Sequence, residues 1–142
     1  MISEVSVFLP NVAGELNRTL RVLANEDVNV LAFSIDQAGA CSIIRLICSN
    51  PDKANELLKE RGIVVEQSDV LALKMKHKAG ELERVTEALT DAHVNIEYGY
   101  LTVIGGTSQA IVILKTGDET KALEVVQGAG FEDVTSLNGT GS

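Results

Sequence analysis

Apolar side chains fall on two rhythms along this chain, and the rhythms succeed each other in the same order twice. Val5, Val7 and Leu9 alternate with Ser6 and Phe8, and Leu71, Leu73 and Met75 alternate with Ala72 and Lys74, the period of two expected of a strand with one buried face. The spacing then changes to three and four. Leu16, Leu20 and Leu23, and later Leu82, Val85 and Leu89, predict a helix with one apolar stripe. A strand follows each helix, over residues 28–36 and 94–103. The turn-rich stretches Gln37-Ala38-Gly39-Ala40 and Gly105-Gly106-Thr107 then predict hairpins. Asn50-Pro51 and Asp118-Glu119 supply the cap and first turn of a second helix in each half, and Gly62 and Gly130 stand where such helices end. Short final strands are expected at residues 64–67 and 133–135.

The two halves also match residue by residue. Gly14-Glu15-Leu16 recurs as Gly80-Glu81-Leu82, and Val28-Asn29-Val30 as Val94-Asn95-Ile96, each displaced by 66 positions. Beyond the hairpin the displacement becomes 68, with Lys53-Ala54 matching Lys121-Ala122, so two residues were inserted near Gly105-Gly106. The order strand-helix-strand-strand-helix-strand in each copy predicts an α+β protein of two ferredoxin-like sandwiches in tandem, each an antiparallel sheet with helices on one face. The expected division is residues 1–69, residues 70–137 and a flexible tail at 138–142, with Ser68-Asp69 as the whole linker. Ser6 and Phe8, with Ile43 and Ile47, are placed on the face away from the helices, and that leftover apolar surface predicts a homodimer.

Composition narrows the chemistry. Twelve Lys plus Arg against twenty Asp plus Glu give a net charge of -8, which disfavours a phosphate backbone, and five aromatics are too few for an RNA-stacking surface, so no nucleic-acid partner is expected. No apolar run approaches the roughly 20 residues that span a bilayer, so no membrane partner is expected either. A signal peptide would carry a basic and then an apolar region where Ser3 and Glu4 follow Met1 and Ile2, which leads to the expectation of a cytoplasmic protein. Cys41 and Cys48 fall on one strand about 23 Å apart at about 3.3 Å per residue and cannot bridge each other. The first loop reads Pro10-Asn11-Val12-Ala13-Gly14, without the CxxC of a metal carrier. His77 and His93, the two histidines, have no nucleophile or metal-ligand spacing around them, so no catalytic residue, metal or cofactor is expected. His93 follows a helix at the position of Asp27, and both residue types tolerate a positive φ there.

What remains is the loop between first strand and first helix, present twice. Glycine at Gly14 and Gly80 lets a backbone or small ligand approach the outward N–H groups of a helix start, a setting that suits an amino-acid carboxylate. Phe8-Leu9-Pro10-Asn11-Val12-Ala13-Gly14-Glu15-Leu16, followed by Leu23-Ala24 and Val28-Asn29-Val30, resembles the signature of the ACT domain, a small regulatory module that binds amino acids. The resemblance covers both units and implies units paired side by side with an amino acid held at their interface. It implies one site at Asn11, Val12, Ala13, Gly14, Glu15 and Leu16 with Asn29 and Val30. The other comprises Lys78, Ala79, Gly80, Glu81 and Leu82 with Asn95 and Ile96. Ala13 and Ala79 stand where the family commonly has proline, and His77 stands where the first copy has Asn11. The function expected is non-catalytic regulation by a free amino acid, with a homodimer and a regulated enzyme or other protein as partners. The alternative is an interaction or oligomerisation module that binds no ligand.

Overall fold

The computed structural model describes residues 1–103 and 106–137; the expected tail at 138–142 and Gly105 of the second hairpin turn lie outside the described residues. Eleven elements follow in chain order among the described residues. They are β1 (Ile2–Pro10), α1 (Glu15–Asn25), β2 (Val30–Ala38), β3 (Cys41–Cys48), α2 (Pro51–Glu60), β4 (Val64–Lys76), α3 (Glu81–Asp91), β5 (Ile96–Val103), β6 (Gln109–Thr116), α4 (Glu119–Gly128) and β7 (Glu132–Asp133). The fold is α+β, a pair of ferredoxin-like units, one formed by residues 3–68 and the other by residues 69–137 with Met1 and Ile2.

In the first unit β3 pairs antiparallel with β1 on one side and with the edge strand β2 on the other. Leu23 of α1 and Leu58 of α2 are fully buried in a core with Val5, Val7, Leu9, Ile44 and Leu46. The α1 stripe differs from the expected one, because Thr19 and Val22 are buried with Leu23 while Leu20 is half-buried. Thr19 tolerates burial because its hydroxyl donates to the Glu15 carbonyl at 2.9 Å, which satisfies the polar group inside its own helix. In the second unit β6 lies between β4 and the edge strand β5, and β7 is a two-residue strand on β4, shorter than expected. Val85, Leu89, Val126 and Phe131 fill its core with Leu71, Leu73 and Met75.

The helix ends follow the sequence signals. Asn50 and Asp118 accept from the N–H groups of Lys53 and Lys121 at 3.1 and 3.0 Å. Asp27 and His93 both adopt positive φ, 60° and 58°, so that Val28 and Val94 can donate back to the carbonyls of Leu23 and Leu89 and plug the cores. Those valines are therefore loop residues, and β2 and β5 begin two positions later than the alternation suggests. β4 is the larger difference. Residues 64–67 and 71–75 are not two strands separated by Ser68-Asp69; they belong to one strand of 13 residues.

The face away from the helices also departs from expectation. Ser6 and Ile47 are buried and Phe8 and Ile43 are half-buried, so the apolar surface left exposed is elsewhere. Part of it lies on the edge strands, where Phe33, Ile35, Leu101 and Val103 are 41 to 53% exposed, and the rest at Val12, Val64 and Leu82.

Candidate functional site

In both units the chain leaves a central strand and turns at once into a helix, and the backbone of that turn is reproduced bond for bond. Asn11 N–H donates to the Ala40 carbonyl at 2.9 Å, and His77 N–H to the Ser108 carbonyl at 2.7 Å. Val12 N–H then bonds Pro10 and Lys78 N–H bonds Lys76, while Glu15 and Glu81 close onto Val12 and Lys78. Gly14 and Gly80 follow at φ 92° and 91°, a left-handed conformation that any side chain would strain. A Cβ on either would meet nothing within 4 Å, so glycine answers to backbone angle and leaves open space above the loop. Arg18 and Arg84 N–H groups, bonded to the Gly14 and Gly80 carbonyls, begin the intrahelical ladder. The N–H groups just before them start the helix without an intrahelical acceptor.

Beneath the first loop lies a cavity of about 260 Å³. The cavity gathers Asn11, Val12, Ala13, Gly14, Glu15 and Leu16, all six loop residues singled out in the first copy. Its floor comes from strand pairing. Leu9 of β1 faces Ser42 of β3, and Ser42 faces Gln37 of β2, so three adjacent strands place one residue each on a rung under the loop. The next rung is Val7, Ile44 and Ile35. Gln37 Nε2 donates to Asn11 Oδ1 at 3.3 Å, tying the edge strand to the loop. Glu15 is committed to Arg18, with Nη2 to Oε2 at 2.8 Å. The other two candidates of this copy stand apart from the cavity lining. Asn29 exchanges bonds with Ser49, its N–H donating to Oγ at 2.9 Å and its carbonyl accepting at 2.8 Å, and Val30 packs against the core.

Under the second loop a cavity of about 430 Å³ is lined by Lys78, Ala79, Glu81 and Leu82 together with Met75, Lys76, His77 and Leu101. Gly80 supports this loop without lining the cavity. Asn95 accepts from the Gly117 N–H at 3.0 Å and Ile96 packs on the core, so these two also stand apart. Leu82, expected in the α3 stripe, is 44% exposed at the cavity rim, whereas Leu16 packs against the first core. Gln37, Ser42, Ile35 and Leu101 were not among the residues the sequence singled out, because their place depends on which residues a hairpin puts opposite each other. Alternation in β2 and β5 puts Ile35 and Leu101 on the helix side, but it does not by itself point to a cavity.

Among the described residues no group of three or more His, Cys, Asp or Glu is placed to hold a metal, and no helix is long and apolar enough to cross a membrane. The sequence model of the ACT domain pair matches residues 1–138. Among curated proteins no sequence matches the chain. Among solved structures, protein BT0572 from Bacteroides thetaiotaomicron is 30% identical, with 94% of this chain and 91% of that one covered and a TM-score of 0.88. The ligand-free regulatory subunit of aspartate kinase from Thermus thermophilus shares the fold at a TM-score of 0.64 and 14% identity, covering 89% of this chain and 91% of its own. The corresponding subunit from Thermus flavus does so at 0.59 and 16%, covering 90% and 92%.

Proposed function

Since the chain belongs to the ACT domain-pair family, we propose that it is a non-catalytic regulatory protein that senses a free amino acid at its glycine loops. The observation that carries this reading is the duplicated turn. Two left-handed glycines, each ahead of a helix start and beside a cavity large enough for an amino acid, are kept with the same hydrogen bonds in both units. A carboxylate is the group that a helix start with outward N–H groups favours. In the first unit the rung of Ser42 and Gln37, with Asn11 above it, offers donors and acceptors to the rest of a zwitterion.

Association of two copies belongs to the same proposal. β2 and β5 are the outer strands of their units and carry the exposed Phe33, Ile35, Leu101 and Val103. Ile35 and Gln37 of the β2 edge also line the first cavity, so a second copy docked there would close its open side. Ligand binding would then alter the docking surface, which is how such a protein passes its signal to a regulated enzyme or other partner.

A thermal-shift screen of the proteinogenic amino acids tests the reading. One or a few should raise the melting temperature selectively, because a ligand at about a hundred times its dissociation constant adds about 2.7 kcal/mol to the stability of the state that binds it. A flat screen would sink the sensing role and leave an interaction module that binds no ligand.

A further inference from the structure

The two loops share a backbone but not a chemistry. At the positions of Pro10, Asn11 and Val12 the second unit carries Lys76, His77 and Lys78, and both lysines line its cavity. Among the described residues, the one charged side chain lining the first cavity is Glu15, already paired with Arg18. The second has two cations against Glu81, whose carboxylate lies 3.6 Å from Arg84. The lining therefore changes by two positive charges from one unit to the other, in a protein whose net charge is -8. The floor changes in the opposite sense. Where the first cavity is lined by the rung Leu9, Ser42 and Gln37, only Met75 of the matching rung Met75, Ala110 and Val103 lines the second, so nothing there replaces the Ser42 and Gln37 side chains. Leu82 and Leu101, 44 and 41% exposed, add apolar surface at the rim.

A zwitterion with a polar side chain gains nothing from such a floor, and its ammonium would sit beside two lysines. A carboxylate on a branched or aromatic hydrocarbon matches both features, the charge on the lysine rim and the carbon skeleton on Met75, Leu82 and Leu101. A second cavity of about 320 Å³ adjoins this one, sharing Met75, Lys76 and Glu81, and adds Lys74 and Arg84 on its wall with Glu132 opposing them. Arg84 is held there by stacking over Phe131 at 4.3 Å, so the positive field beside the loop is fixed in place. We propose that the second unit's loop is a site for an apolar organic anion, a monocarboxylate without an ammonium group, and that the pair reads two ligand classes. The inference deepens the sensing role and rests on its premise that the loops hold ligands.

The test compares leucine with 4-methylpentanoate, which have the same carbon skeleton and differ in the ammonium. The full chain is titrated calorimetrically, and amide spectra record which loop responds. 4-Methylpentanoate should perturb the residues around Gly80 and bind there at least tenfold more tightly than leucine. Lys76→Gln and Lys78→Gln should each weaken it about threefold and together about tenfold, as expected of exposed charges, and added salt should do the same. Gly14→Val should leave it unchanged.

Equal or tighter binding of leucine at this loop, indifference to both lysine substitutions, or no response around Gly80 to either compound overturns the proposal. Each of those results leaves amino-acid sensing at the first loop standing. A flat amino-acid screen alongside tight, lysine-dependent binding of 4-methylpentanoate would do the reverse.

Discussion

The first cavity sets Asn11, Gln37 and Ser42 among apolar side chains such as Leu16, Ile35 and Ile44, while the second sets Lys76 and Lys78 beside Met75, Leu82 and Leu101, although both loops follow one backbone pattern. The difference lies in cross-strand partners. Ser42 and Gln37 face each other in one hairpin, Ala110 and Val103 in the other. The edge strands diverge as well. Phe33 projects from β2, but its counterpart in β5 is Gly99, where a Cβ would stand 2.6 Å from Leu114 Cδ2 and 2.9 Å from the Ile113 carbonyl oxygen. A duplicated fold thus keeps its turns and caps, which the backbone demands, and changes the side chains that meet solvent or ligand.

If scaffold is shared and chemistry is not, substitutions in the two cores should behave alike. Leu23→Ala and Leu89→Ala remove fully buried side chains at equivalent positions and should each cost about 2–5 kcal/mol in chemical denaturation. A twofold or larger disparity would break the equivalence of the cores. A smaller asymmetry should appear in alkali. Cys48 is buried and its thiol is pushed up from 9.0 to about 11 by desolvation, while Thr116 occupies the matching place in the second unit. The folded state keeps a proton that the unfolded chain loses, so this contribution is complete below pH 9 and is lost as pH rises from about 9 to about 11. The loss should reach about 3 kcal/mol. Cys48→Ala should flatten that part of the stability curve relative to wild type; an unchanged slope would show that Cys48 does not set it.

Of comparable size is the effect at the loops. Gly14→Val places a β-branched residue at φ 92° and should abolish an amino-acid-induced stabilisation of about 2.7 kcal/mol, while Gly80→Val, in the loop assigned to an ammonium-free anion, should leave most of it in place. Circular dichroism must show that each variant is folded. Full shifts in both would place the amino acid somewhere other than the loops. The smallest effect concerns the second helix of each unit, where Asn50→Ala and Asp118→Ala should each cost about 1 kcal/mol in thermal unfolding. A cap that costs nothing would show that its helix start is held by packing instead.

The fold was legible because local chemistry repeats. The caps Asn50 and Asp118, the left-handed Asp27 and His93, and the shared glycine-led helix starts are written in single residues at fixed offsets, and the structure uses each as its type suggests. Six residues of the first loop were legible in the same way. The floors were not. Gln37 and Ser42 lie five positions apart in the chain and come together through hairpin register, which period-two alternation leaves open. Thr19 escaped the helical stripe because its burial depends on a hydroxyl bonded within the helix, and Leu82 was assigned to the core because its spacing alone is the same as that of Leu16.

β4 has a consequence for inheritance. The boundary between the two copies at Ser68 and Asp69 lies inside a continuous strand, with Val65 packed against one core and Leu71 buried in the other. A protease that needs several residues of pliable backbone should spare this seam and cut first at turns such as the one around Gly39. Recombination faces the same obstacle, since a breakpoint there severs a strand instead of a tether. A foreign copy joined at that point would have to supply its own share of β4, so an exchange of halves is constrained first by the residues of that strand.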